Sequence, residues 1–135
     1  MDELTIQQVE AATGLTGHTL RYYEKAELMI TQVKRADNGH RRYSQDDLYW
    51  LNFITRLRET GMAIAHIRRY AELVRQGEGT TAQRLELLET HRQKVLDQLG
   101  KTQAHLVQIE NKITHYKDMH RADFARANAA VGATA

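Results

Sequence analysis

The repeat that begins at Leu85 constrains this chain more than any other feature. Spacings of three and four run through Leu85, Leu88, Arg92, Val95, Leu99, Thr102, Leu106, Ile109, Ile113 and Tyr116, and eight of these ten positions are apolar. That period belongs to a helix whose narrow apolar stripe packs against another helix of the same kind. A helix over residues 82–117 would be ~54 Å long at 1.5 Å per residue. Nothing else in a chain of 135 residues is large enough to cover such a stripe, so the seam predicts a partner chain. Leu88, Val95, Leu99, Leu106, Ile109 and Ile113 are the predicted dimerisation residues. Gly100 costs the helix about 1 kcal/mol relative to Ala, and Arg92 and Thr102 are candidates for setting register. Beyond residue 118 the period fades, which predicts a short, frayed and flexible tail over 119–135.

Ahead of the seam, capping signals divide residues 1–78 into short elements. Thr5 with Gln8 fits a capping box, and Ile6, Val9 and Ala12 give the helix that follows one apolar face. Gly14 is placed to end this helix and Thr16 to cap the next, which is the helix-turn-helix spacing. In the second helix Leu20 and Tyr23 turn inward, leaving His18, Thr19, Arg21 and Tyr22 toward the exposed side. Residues 31–43 predict a hairpin, because Val33 and Tyr43 flank an Asn38-Gly39 turn whose residues tolerate positive φ. Two strands alone are marginal, so this ribbon must lean on the helices. Ser44-Gln45-Asp46-Asp47 opens a helix with Leu48, Leu51, Ile54 and Leu57 at helical spacing. Gly61 stops it, and Ile64, Ile67, Ala71 and Val74 mark another that ends around Gly77 and Gly79. Trp50 and Phe53 are read as core packing in preference to a ligand pocket. The predicted fold is mainly α: a winged helix-turn-helix domain over 1–78 with a small β-hairpin wing, a coiled-coil dimerisation helix over 79–118, and the tail.

Several function classes are disfavoured by composition. With no cysteine there is no disulfide, thiolate nucleophile, thiolate-bound zinc or thiol redox switch in these residues. No apolar run approaches the ~18 residues of a membrane span, and no charged start precedes an apolar stretch, so a cytoplasmic protein is predicted. His18, His40, His66, His91, His105, His115 and His120 include no i,i+4 pair, and no metal site is expected. Asp46 and Asp47 stand where helix N-terminal electrostatics explains them. No nucleophile with a base, metal cluster or phosphate-cradling glycine loop is present, and neither an enzyme nor a cofactor is expected.

Net charge says little about partners, despite a pI near 9.0. Residues 1–78 hold eleven Lys/Arg and eleven Asp/Glu, and residues 79–135 hold eight and six, giving 0 and +2. Placement is more telling. Residues 17–43 carry six Lys/Arg against three acids, with Lys34, Arg35, Arg41 and Arg42 crowded on one hairpin. A helix can reach base edges in the major groove while a neighbouring ribbon takes backbone phosphates. His18, Thr19, Arg21 and Tyr22 are therefore placed to face a groove of double-stranded DNA, and the hairpin cations form its electrostatic footprint. The competing reading is a coiled-coil interaction adaptor whose helix-turn-helix does not serve DNA; it would show no sequence-selective affinity.

The order of helix-turn-helix, Leu20-Arg21-Tyr22-Tyr23-Glu24, hairpin with Arg35, Asn38-Gly39, Arg41 and Tyr43, a Thr60-Gly61-Met62 junction and a long terminal helix resembles the MerR family of transcriptional regulators. The likeness covers roughly residues 4–117. It implies a homodimer joined by an antiparallel coiled coil, bound to a pseudo-palindromic operator inside a promoter. It further implies that the dimer bends and untwists an overlong spacer so that RNA polymerase aligns with both promoter elements. By the same resemblance Arg21 and Tyr22 fall on phosphates, His18 and Thr19 nearest base edges, and Arg35, Arg41 and Tyr43 on the backbone. His40 stands where a Tyr is common and can still bond a phosphate, more strongly when protonated. Arg58, in the segment up to His66 that matches the second wing, is a further phosphate contact. The Phe53-Ile54-Thr55-Arg56-Leu57 stretch and short C-terminus are similar to the aldehyde- and thiol-stress subgroup, although the cysteine of some relatives is absent. Activation and repression both stay open, since the choice lies in the promoter spacer. The inducer is equally open: a small-molecule effector near the junction with the coiled coil, another protein, or none.

Overall fold

Three helices start where a hydroxyl side chain takes an orphaned amide. In the computed structural model, which describes residues 3–133, the order is β1 (Leu4–Thr5), α1 (Ile6–Thr13), α2 (Gly17–Lys25), β2 (Lys34–Arg35), β3 (Arg41–Tyr43), α3 (Gln45–Glu59), α4 (Ile64–Gln76) and α5 (Thr81–Ala133). Thr5 and Gln8 exchange side-chain and backbone hydrogen bonds at the start of α1. Gly14 closes α1 in the left-handed region at φ 75°, and Thr16 accepts from the Thr19 N–H to open α2. Ser44 and Asp47 form the second capping box, and Asp47 Oδ1 also accepts from the Thr31 hydroxyl at 3.1 Å. Each cap is worth about 1 kcal/mol.

The hairpin gains a strand that sequence did not supply. β1 pairs antiparallel with β3, Leu4 opposite Tyr43, and β3 pairs with β2, Lys34 opposite Arg42, in the order β1-β3-β2. The wing is thus tied directly to the start of α1. Its turn also differs from a central Asn38-Gly39 pair. The Gly39 N–H donates to Ala36 O and the Ala36 N–H to His40 O, both at 2.8 Å, and of the pair only Gly39 has positive φ, at 83°. Asp37 and Asn38 are the central residues and Gly39 forms the bulge, the three-residue form of hairpin loop.

Val9, Leu20, Tyr23, Leu28, Tyr43, Leu51, Ile54, Ile67 and Ala71 form one core shared by α1 to α4 and β3. Leu87 and Leu88 of α5 pack against it. The Thr80 hydroxyl donates to Leu73 O at 2.9 Å, and Thr60 Oγ1 lies 2.8 Å from His91 Nε2. These contacts carry the first compact unit through Gln93, past the boundary expected at residue 78.

The segment after α2 is held by side chains from two other helices. Ala26 O accepts from Arg68 Nε at 2.8 Å, Glu27 O and Met29 O from Arg75 Nη1 at 3.1 and 2.7 Å, and Leu28 O from Trp50 Nε1 at 2.7 Å. Four consecutive carbonyls are taken by α3 and α4. Glu27 sits at φ 62°, in the left-handed region, where the Leu28 N–H reaches back to Tyr23 O and the Glu27 N–H to Glu24 O. This is a Schellman ending without glycine, and a non-glycine residue there costs roughly 1–2 kcal/mol. The carbonyl contacts offset that strain. Trp50 further stacks on Tyr70, with centroids 5.6 Å apart and planes 7° from parallel, so its role is packing.

The second unit begins at Lys94, and over its described residues it is helix alone. Helical structure continues through 119–133, where the sequence reading places a frayed tail. Alanine-rich composition and the i,i+3 pairs Arg121–Asp118 and Arg126–Asp123 favour continuation after the apolar period has faded. Residues 134 and 135 of the expected tail lie outside the described residues. No helix among the described residues is long and apolar enough to cross a membrane.

Replacing Trp50 with Phe removes the donor to the buried Leu28 carbonyl while keeping a ring in place. The expected cost is about 1–3 kcal/mol, read as a lower urea midpoint at unchanged slope; an unchanged midpoint would show that this bond does not hold the segment.

Candidate nucleic-acid interface

A basic groove opens where α2 meets the wing and the start of α1. Thr5, Ile6, Gln7, Arg21, Arg35, Gly39, His40, Arg41 and Arg42 line it. Four of the eight residues expected on DNA from the first helix-turn-helix and wing, Arg21, Arg35, His40 and Arg41, are therefore brought together. Arg42, on the central strand between β1 and β2, joins them although it was not among the expected contacts. Its membership of the hairpin's cluster of cations, Lys34, Arg35, Arg41 and Arg42, is the available signal.

The groove is assembled by short-range chemistry. The Gly17 N–H, at the start of α2, donates to Glu10 Oε2 at 2.7 Å, so a carboxylate from α1 sits at the positive end of the α2 dipole. A Cβ on Gly17 would lie 3.3 Å from Arg21 Nη1 and 3.4 Å from Glu10 Oε2, which is tighter than ordinary contact. Glu24, in the last turn of α2, then holds the wing: Oε2 pairs with Arg41 Nε at 2.5 Å and Oε1 with Arg35 Nη2 at 3.6 Å. Arg35 Nη1 also donates to Gly39 O at 3.3 Å. Among the described residues neither Arg21 nor Arg42 has a carboxylate within ion-pair distance.

His18, Arg21 and Tyr22 are exposed on α2, with Tyr22 47% exposed, while Leu20 and Tyr23 are buried beneath them. Thr19 is half-buried and its hydroxyl accepts from Thr16 Oγ1 at 3.0 Å, which anchors it to the cap. Arg58 lies outside the groove, exposed near the end of α3, with Nη1 3.4 Å from Met62 O. Tyr43 corrects the reading made of it. It is 1% exposed, its hydroxyl is buried without a hydrogen-bond partner among the described residues, and it faces the core opposite Leu4. The pairing of β1 with β3 gives the reason, since Leu4 lies opposite Tyr43 and both pack into the core, while Arg41 turns to Glu24. Burial raises the Tyr43 pKa from its usual 10.0, with Arg41 opposing that shift and Glu24 adding to it. Tyr23 is raised likewise by burial, with Arg58 opposing. Both hydroxyls thus stay neutral at physiological pH.

On the dimerisation side, Leu99, Leu106, Ile109 and Ile113 stand about half exposed, at 48–56%. Val95 is half-buried, and Leu88 packs partly into the core of its own chain. Leu96, Val107 and Tyr116 widen the apolar surface beyond the six expected residues.

A helix and a basic three-stranded wing, positioned together on one small core, define a winged helix-turn-helix protein. The comparison with known proteins names the kind. Residues 4–73 match the MerR helix-turn-helix regulatory protein family and residues 48–112 the MerR DNA-binding family, and the chain belongs to the MerR family. It is a DNA-binding transcriptional regulator. An uncharacterised helix-turn-helix transcriptional regulator of Haemophilus influenzae is 35% identical over 104 residues, 77% of this chain and 76% of the relative. The regulator AdhR of Bacillus subtilis is 38% identical over 94 residues, 70% of this chain and 66% of AdhR, just under two thirds of its length. Among solved structures, HiNmlR, a MerR family regulator lacking the sensor domain and bound to promoter DNA, superposes with a TM-score of 0.79 at 32% identity, covering 86% of this chain and 91% of that one. A MerR family regulator from Bacillus thuringiensis gives 0.74 at 31% identity, covering 83% and 97%.

Two substitutions separate the surface from the core. Arg21→Ala is expected to weaken binding of a selected operator duplex by about 1–3 kcal/mol, whereas Tyr43→Phe, which deletes a partnerless buried hydroxyl, leaves affinity unchanged. Anisotropy titrations at fixed salt check both, and a loss for Tyr43→Phe matching that of Arg21→Ala would return Tyr43 to the interface.

Proposed function

We propose that the chain works as a homodimer that binds a pseudo-palindromic operator within a promoter and distorts the spacer, activating or repressing transcription with RNA polymerase as its target partner. The observation that carries this reading is the exposed apolar seam of α5, from Leu99 to Tyr116, in a chain with a single DNA reader among its described residues. Half-exposed leucine and isoleucine at heptad spacing bury well only against a second such helix. Two copies then present two α2 helices, and two-fold symmetry in the protein asks for two-fold symmetry in the site. Arg21, Arg35, His40, Arg41 and Arg42 supply the phosphate and base contacts, joined by His18, Thr19 and Tyr22 on α2 and by Arg58 at the second wing. HiNmlR, similar to this chain over most of its length, was solved on promoter DNA. A thiol trigger has no residue to act on in this sequence. A small-molecule or protein effector is left without an assigned site.

Leu99→Asp combined with Ile109→Asp is expected to give monomers in sedimentation velocity and to abolish tight operator binding. Dimers persisting in that variant would place the interface elsewhere. Selection from random duplexes by the unaltered protein should return half-sites about one helical turn, ~34 Å, or a multiple of it apart. Footprints should show a reactive, unstacked centre.

A further inference from the structure

We infer that Glu24 is a positioning residue for DNA recognition, raising the ratio of operator to non-specific affinity by holding Arg35 and Arg41 in place before DNA arrives. This inference rests on the groove being the DNA interface. Glu24 is the only carboxylate that bridges α2 and the wing among the described residues, with Oε2 on Arg41 Nε at 2.5 Å and Oε1 on Arg35 Nη2 at 3.6 Å. Arg41 is held through Nε. Arg35 is fixed at both terminal nitrogens, by Glu24 and by Gly39 O. Arginine carries several rotatable bonds, and immobilising such a side chain on binding is costly. Here the ordering is done in the free protein.

The same carboxylate works against indiscriminate binding. Affinity for any duplex comes from cations that displace counterions, and a negative charge between two of the groove's arginines subtracts from it. A random site offers phosphates but not the geometry for which the pair is set. An operator offers both. Glu24 therefore lowers the general term and preserves the specific one, which fits a DNA-binding unit whose net charge over residues 1–78 is zero.

The test uses the full chain, a duplex recovered by selection and a scrambled duplex of equal length, titrated by anisotropy across a salt series. For Glu24→Gln the scrambled duplex should bind as tightly as before or more tightly, the operator more weakly, and the ratio should fall about tenfold, the size expected for two side chains no longer ordered in advance. Both affinities rising together would show that Glu24 acts as charge alone. Both falling together would show a role in folding alone, and either result overturns the inference. Should Glu24→Gln fail to fold by circular dichroism, Glu24→Asp keeps the charge but shortens the reach to Arg35 and Arg41, and the same fall in ratio is expected; an unchanged ratio overturns it. A wild-type chain that prefers no sequence removes the DNA interface itself, a result distinct from failure of the Glu24 inference.

Discussion

Four backbone carbonyls in a row, from Ala26 to Met29, are the joint on which the DNA-binding unit turns. A chain leaving a nine-residue helix through a left-handed glutamate has little reason of its own to stay there. Arg68, Arg75 and Trp50 supply the reason, taking those carbonyls from α4 and α3. Because the same α3 and α4 carry Leu51, Ile54, Ile67 and Ala71 into the core, α2 is fixed to the most buried part of the molecule. The exposed residues of α2 inherit that rigidity. Preorganisation of this kind is what lets a handful of side chains discriminate between sites.

The electrostatics follow the same economy of placement. Residues 1–78 have no net charge, yet Arg21, Arg35, His40, Arg41 and Arg42 line one groove, and the sheet and the Glu24 bridge put them there. Affinity from gross charge would be salt-sensitive and indifferent to sequence. A groove built on hydrogen-bonded cations next to an exposed helix is suited to reading a site. The apolar seam of the second unit supplies the other half of the proposed mechanism, a reason for two such readers to act together.

Much of this was legible in the chain because the rules involved are local. Thr5–Gln8 and Ser44–Asp47 announce helix starts within four residues, Gly14 and Thr16 announce the turn, and a heptad needs only its own period to be seen. What escaped depends on partners far apart in sequence. β1 is two residues long, too short for any period, and exists because Leu4 finds Tyr43. The donors to the carbonyls of residues 26–29 lie 22 to 48 residues away, and nothing in Arg68 or Arg75 distinguishes them beforehand from surface arginines. Family likeness sets Tyr43 on DNA, and only its pairing with Leu4 over the core reveals that it is buried. The helix past residue 118 persists without the seam because alanine content sustains helix where apolar periodicity has ended.

Hydrogen–deuterium exchange on the full chain, with and without a selected operator duplex, tests the central claim most directly: that α2 and the wing together form the surface that meets DNA. The account expects slowed exchange on binding for residues 17–25 and for the wing turn over 36–40, while the already buried middle of α3 changes little. Protection confined to other segments, with both of these exchanging as they do in the free protein, would contradict it.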